Sequence, residues 1–128
     1  MEEGVPPLSD AQLEIMNVVW EHGEATVGEI WHALSARRPV ARNTIQTLVS
    51  RLEEKGWLTH STSGSVFRYH AVYPRQATLR NLVRRLVDTA FGGSAEGLVM
   101  TLLEDQALEA GEADRIRALI ERAEREKS

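Results

Sequence analysis

The chain has 128 residues, 42% hydrophobic and 27% charged, with 4 Pro, 9 Gly and no Cys, which excludes collagen-like, low-complexity and wholly disordered chains and fits one globular domain or two very small ones. The absence of Cys removes disulfides, Cys-ligated zinc, copper–thiolate sensing and cysteine nucleophiles together. The net charge of −4 is unevenly spread: residues 1–36 carry −7, residues 37–85 carry +8 from ten Lys/Arg against Glu53 and Glu54, and residues 86–128 carry −5.

A basic middle between acidic ends makes a local positive potential and points to an anionic partner. No apolar run approaches the roughly 18 residues of a membrane span. Neither a secretory signal nor membrane insertion is expected, and a cytoplasmic location is.

Ser9 with Gln12 forms a capping box and Leu8 is placed to staple onto Leu13, so a first helix is predicted over about 10–22, with Leu13, Met16, Val19 and Trp20 on its apolar side and Gly23 as its stop. Thr26 with Glu29 forms a second box, opening a short helix with Ile30, Ala33 and Leu34 inward that ends near Ala36. A third helix is predicted from about Arg42 to Lys55, carrying Ile45, Leu48, Val49 and Leu52 on one stripe and ending at Gly56. At 100° per residue, Asn43, Gln46, Thr47, Ser50, Arg51 and Glu54 point away from the core.

Trp57–Ser61 and Val66–Ala71 alternate as strands around a Ser/Gly loop at 62–65, with Phe67 and Tyr69 on one face and Arg68 and His70 on the other. Three more helices follow. The first, about Gln76–Phe91, carries Leu79, Leu82, Val83, Leu86 and Val87, and the next opens at Ser94 with Leu98, Val99, Leu102 and Leu103. The last, about Glu112–Glu126, has Ile116, Leu119, Ile120 and Ala123 on one side.

The predicted class is mainly α with a small β-hairpin. Three helices and a hairpin make a winged helix-turn-helix, whose third helix fits the major groove and must offer short polar and basic groups to base edges. Asn43, Gln46, Thr47 and Arg51 are such groups, while Arg42, Lys55, Arg68 and either Arg37 or Arg38 are candidates for phosphate, which positions the helix without reading sequence. A polar, basic third helix favours DNA over a winged-helix module that binds protein.

The residues Leu8-Ser9-Asp10-Ala11 through Trp20, Thr44-Ile45-Gln46-Thr47-Leu48 with Arg51-Leu52, Lys55-Gly56, and Phe67-Arg68-Tyr69 resemble the penicillinase-repressor and methicillin-resistance-repressor family over about residues 8–75. The resemblance implies a homodimeric repressor of β-lactam resistance or related stress genes, bound to an inverted-repeat operator in double-stranded DNA. It implies a winged-helix DNA-binding domain over 1–75 and a helical dimerisation domain over 76–128. Its DNA-binding set would be Arg42, Asn43, Thr44, Gln46, Thr47, Ser50, Arg51, Lys55 and Arg68, and its dimer set Leu82, Leu86, Leu98, Val99, Leu102, Leu103, Ile116, Leu119 and Ile120.

Family members that sense β-lactams are inactivated at an Asn-Phe bond, which implies a membrane sensor protease as partner. The aligned pair here is Thr101-Leu102, which puts proteolytic induction in doubt, and the Cys cluster of copper-responsive relatives has no counterpart. A ligand-sensing regulator with a pocket in the dimer domain is the alternative that sequence leaves open. No cofactor, metal site or catalytic constellation is expected. His22, His32, His60 and His70 fall at no metal-binding spacing, and the loop at 62–65 would set His60 near Phe67 or Arg68. Trp20 and Trp57 read as core, and Trp31, off the Ile30/Leu34 stripe, as core packing or part of a pocket.

Overall fold

A computed structural model describes residues 7–105 and 108–127. Its described elements run α1 (Asp10–His22), α2 (Val27–Ser35), α3 (Arg42–Glu54), β1 (Leu58–Ser63), β2 (Val66–Ala71), α4 (Arg75–Ala90), α5 (Ala95–Glu104) and α6 (Glu112–Lys127). The architecture is helical with one two-stranded antiparallel hairpin. The chain divides into two compact units, one up to Arg80 and one from Asn81, so the division falls inside α4.

In the first unit both capping boxes form. Ser9 Oγ accepts from Gln12 N and Gln12 Oε1 from Ser9 N, which satisfies a glutamine that is almost fully buried. Thr26 and Glu29 repeat the exchange at α2. The core gathers Ile15, Met16, Val19, Ile30, Ile45, Val49, Leu52 and Leu58, each at most 2% exposed. Burying each such side chain contributes about 1.5–3 kcal/mol. The inward stripe of α1 therefore centres on Ile15, Met16 and Val19, and Leu13 is only half-buried while Leu8 packs against the core itself.

Gly56, at φ 90°, closes α3 with its N–H on Glu53 O and that of Trp57 on Leu52 O, a Schellman turn that aims the chain into β1. The hairpin turn is two residues, Gly64-Ser65, rather than the four-residue loop expected from composition. Gly64 at φ 66° turns the chain tightly enough for Ser63 to pair with Val66. The backbone register shifts accordingly, and His60 pairs with Tyr69, while its ring still lies near Phe67 as expected. Ala25 adds a bridge on the other edge of β2, its N–H and carbonyl both bonded to Tyr69.

The tryptophans act as braces around this core. Trp57 is buried and meets Tyr73 edge-on at 5.2 Å. Trp20 is half-buried and donates its indole N–H to Tyr73 O at 2.9 Å. Trp31 donates to Val40 O at 2.9 Å, fastening α2 to the segment that leads into α3.

In the second unit, Ser94 caps α5 by accepting from Gly97 N, and Gly97 leaves room for the Phe91 ring, which would lie 3.2 Å from a Cβ there. None of its described residues is buried, and Val83, Leu86, Val99, Leu102, Leu103, Leu119 and Ile120 are all more than two-fifths exposed. Leu82, Leu98 and Ile116 are half-buried. No described helix is long and apolar enough to cross a membrane.

Candidate nucleic-acid interface

The amphipathic phase of α3 decides what it presents. Ile45, Val49 and Leu52 are buried, with Leu48 packed against them, so Asn43, Thr44, Gln46, Thr47, Ser50 and Arg51 stand in solvent. Arg42 at the first position and Lys55 at the C-cap are also exposed. Thr47 donates to Asn43 O at 3.0 Å, which leaves its lone pairs as acceptors, and Gln46 Nε2 rests 3.4 Å from Ser50 Oγ. Amides, hydroxyls and a guanidinium on one face supply both donors and acceptors. Ala41, the N-cap, offers no side-chain bond to the first turn.

Arg42 and Gln46 form one wall of an open cleft of about 480 Å³ whose other walls are Thr26, Val27 and Gly28 of the α2 entry and Ser65, Val66, Phe67 and Tyr69 of the hairpin. One side is thus polar and basic, the other apolar and aromatic. The lining includes neither Arg51 nor Lys55, which lie further along α3, nor Arg68. Arg68 is half-buried, lies on the opposite hairpin face from Phe67, and adds to the field on Glu29. Glu29 is held below the usual carboxylate range chiefly by the hydrogen bond from the Thr26 backbone N–H.

Arg38 is paired within the protein. Its guanidinium makes a bidentate pair with Glu14 of α1 at 2.6 and 2.7 Å, which draws that carboxyl below its ordinary range. Arg37 remains exposed, beside Trp20, Glu21 and Arg75 in a separate groove.

The hairpin carries residues that the sequence reading did not assign to the interface. Phe67 is 47% exposed although it is the largest apolar group at the wing tip. The His60 ring stacks on it at 4.1 Å, and His60 Nδ1 also bonds Glu53 Oε2, which ties β1 to the last turn of α3. An aromatic two residues beyond a Gly-Ser pair was a readable signal. Its neighbour His60 was expected, and the two-residue turn was not. On the other hairpin face, His70 Nε2 lies 3.2 Å from Ser61 Oγ.

This arrangement has counterparts among known proteins. The family model described as penicillinase repressor matches residues 8–122. The chain belongs to the penicillinase repressor family. Within it, the penicillinase repressor of Bacillus licheniformis is 29% identical over 117 residues, covering 91% of each chain. The solved DNA-binding domain of the repressor BlaI is 38% identical, covers 56% of this chain and 87% of its own, and superposes with a TM-score of 0.52. The monomeric form of Bacillus licheniformis BlaI in complex with the blaP half-operator is likewise 38% identical, covers 56% of this chain and 88% of its own, and has a TM-score of 0.50. The winged-helix assignment made from three helices and a hairpin is therefore correct.

Proposed function

We propose that this family member is a homodimeric transcriptional repressor that reads an inverted-repeat operator with α3 and grips flanking backbone with the wing. The observation that carries the reading is the exposed polar face of α3, from Arg42 to Lys55, beside a cleft open towards the hairpin. Arg51, Gln46 and Asn43 are the base readers, with Thr44, Thr47 and Ser50 alongside. Arg42, Lys55 and Arg68 take phosphates. The BlaI monomer solved in complex with a half-operator supports operator DNA as the partner here.

The C-terminal unit supplies the second copy. Leu82, Leu86, Leu98, Val99, Leu102, Leu103, Ile116, Leu119 and Ile120 leave too much apolar surface open for a soluble single chain, and pairing covers it. Two domains follow, winged helix over 1–75 and dimerisation over 76–128. The names of the relatives support control of antibiotic-resistance genes.

Induction proceeds without cleavage at Thr101-Leu102. Both residues lie within α5, where Thr101 Oγ1 bonds Gly97 O at 2.9 Å, so a protease must first unwind the helix. A pocket shaped for Asn-Phe also loses contact area on a non-aromatic Leu. A sensor protease remains the partner to test, by co-expression, β-lactam challenge and mass analysis. Fragments ending at Thr101 would overturn this part.

The DNA reading is tested by selecting bound fragments from the source genome with the purified full chain. An enriched two-fold repeat, bound by two copies of the chain, is expected. Equal recovery of all fragments, or recovery of none, contradicts it.

A further inference from the structure

Gly28 occupies the second position of α2, with a φ outside the left-handed region. The backbone does not require glycine there, and glycine is among the poorest helix formers. Packing against the core does not require it either. The three heavy atoms nearest to a Cβ built at Gly28 all belong to the guanidinium of Arg42, with Nη2 at 3.3 Å, Cζ at 3.7 Å and Nη1 at 3.8 Å. Among the described residues no carboxylate lies within ion-pair reach of that guanidinium. The adjacent Glu29 is engaged elsewhere, its Oε1 accepting from Thr26 N at 2.8 Å. The space left by the missing side chain is thus what lets Arg42 lie across the start of α2, on the wall of the cleft.

We infer that Gly28 is a positioning residue for Arg42, setting where its guanidinium meets a DNA backbone phosphate; this rests on the DNA-binding reading above. Charged hydrogen bonds to phosphate are short and directional, so tenths of an ångström at the guanidinium matter. A methyl at 3.3 Å asks the guanidinium to give by that much, and a larger side chain fills its place. Because the obstructing atoms end a flexible side chain, the fold itself need not suffer.

The test uses full-length Gly28→Ala and Gly28→Leu, each alone and combined with Arg42→Ala, titrated by fluorescence anisotropy against a genome-selected fragment over a salt series. Graded losses are expected, about threefold for alanine and about tenfold for leucine, with the leucine salt slope reduced by about one, as for Arg42→Ala. In the Arg42→Ala background both substitutions become neutral. The thermal midpoint of Gly28→Ala stays at or above that of the parent, a result that a merely structural glycine would not give. Wild-type binding by the Gly28 variants, or equal losses with and without Arg42, overturns the inference. Unchanged binding by Arg42→Ala also overturns it, while leaving the DNA reading to the rest of α3. No DNA binding by the parent chain removes that reading and the inference together.

Discussion

Up to Arg80 the chain closes a core of its own, with Met16, Val19, Ile30, Val49 and Leu52 inaccessible to solvent; from Asn81 onward the same kinds of residue form equally regular stripes, and none of the described residues is buried. Amphipathic periodicity is alike in the two regions. The difference is that α1, α2, α3 and the hairpin face one another, whereas α5 and α6 keep Leu103 and Leu119 more than half exposed. A hydrophobic stripe says that a helix needs a partner, and only packing says whether the partner is in the same chain.

The contrast breaks most visibly in stability. Ile45→Ala or Leu52→Ala, each removing a side chain at most 1% exposed, should cost about 2–5 kcal/mol at every protein concentration. Leu119→Ala should instead show a loss that depends on concentration, since its burial comes from association. Denaturant titrations at two concentrations about a hundredfold apart separate the two behaviours.

Next in size is Leu102→Asp, which sets a carboxylate into the proposed dimer contact and should yield a folded monomer by sedimentation with weakened operator binding. A dimer of undiminished affinity would assign the apolar stripes of the second unit to something other than self-association. On DNA, Arg51→Ala and Gln46→Ala should relax base preference at about 1–3 kcal/mol per lost contact, and Lys55→Ala or Arg68→Ala should weaken all sequences alike, with a salt slope lower by about one. Competition titrations with single-base operator variants read the distinction.

The smallest effects concern the first unit's surface. Glu14 and Glu29 both have lowered folded-state pKa values, by the Arg38 hydrogen bonds and the Thr26 cap respectively. Each therefore adds stability that is present above the ordinary glutamate pKa of about 4.3 and is lost as pH falls through the depressed folded value. Arg38→Ala, which removes the partner of Glu14, and Glu29→Gln, which removes the titrating group that the Thr26 backbone N–H holds ionised, should each flatten the acid limb of the stability profile, and a limb unchanged by both would show that these carboxylates are not linked to folding.

Much of the first unit was legible because its signals are local. Ser9/Gln12 and Thr26/Glu29 announce their helices, and the 3–4 spacing in α3 places both Ile45 inward and Gln46 outward. What was not legible depends on contacts between distant residues. Whether Arg37 or Arg38 stays free turns on Glu14, 24 positions before Arg38. The hairpin register turns on whether Gly64 makes a two-residue turn, and the Trp31 brace on a carbonyl beyond the break at Pro39. Gly28 is silent in the sequence because its neighbour in space, Arg42, lies on another helix.

Amide hydrogen exchange across a dilution series tests the central contrast most directly. The amides of α1 and α3 should keep the same protection at all concentrations, and those of Leu98–Leu103 and Ile116–Ile120 should lose theirs as the protein is diluted below its dimer dissociation constant. Protection in α5 and α6 that matches α3 and does not change with dilution would contradict the account.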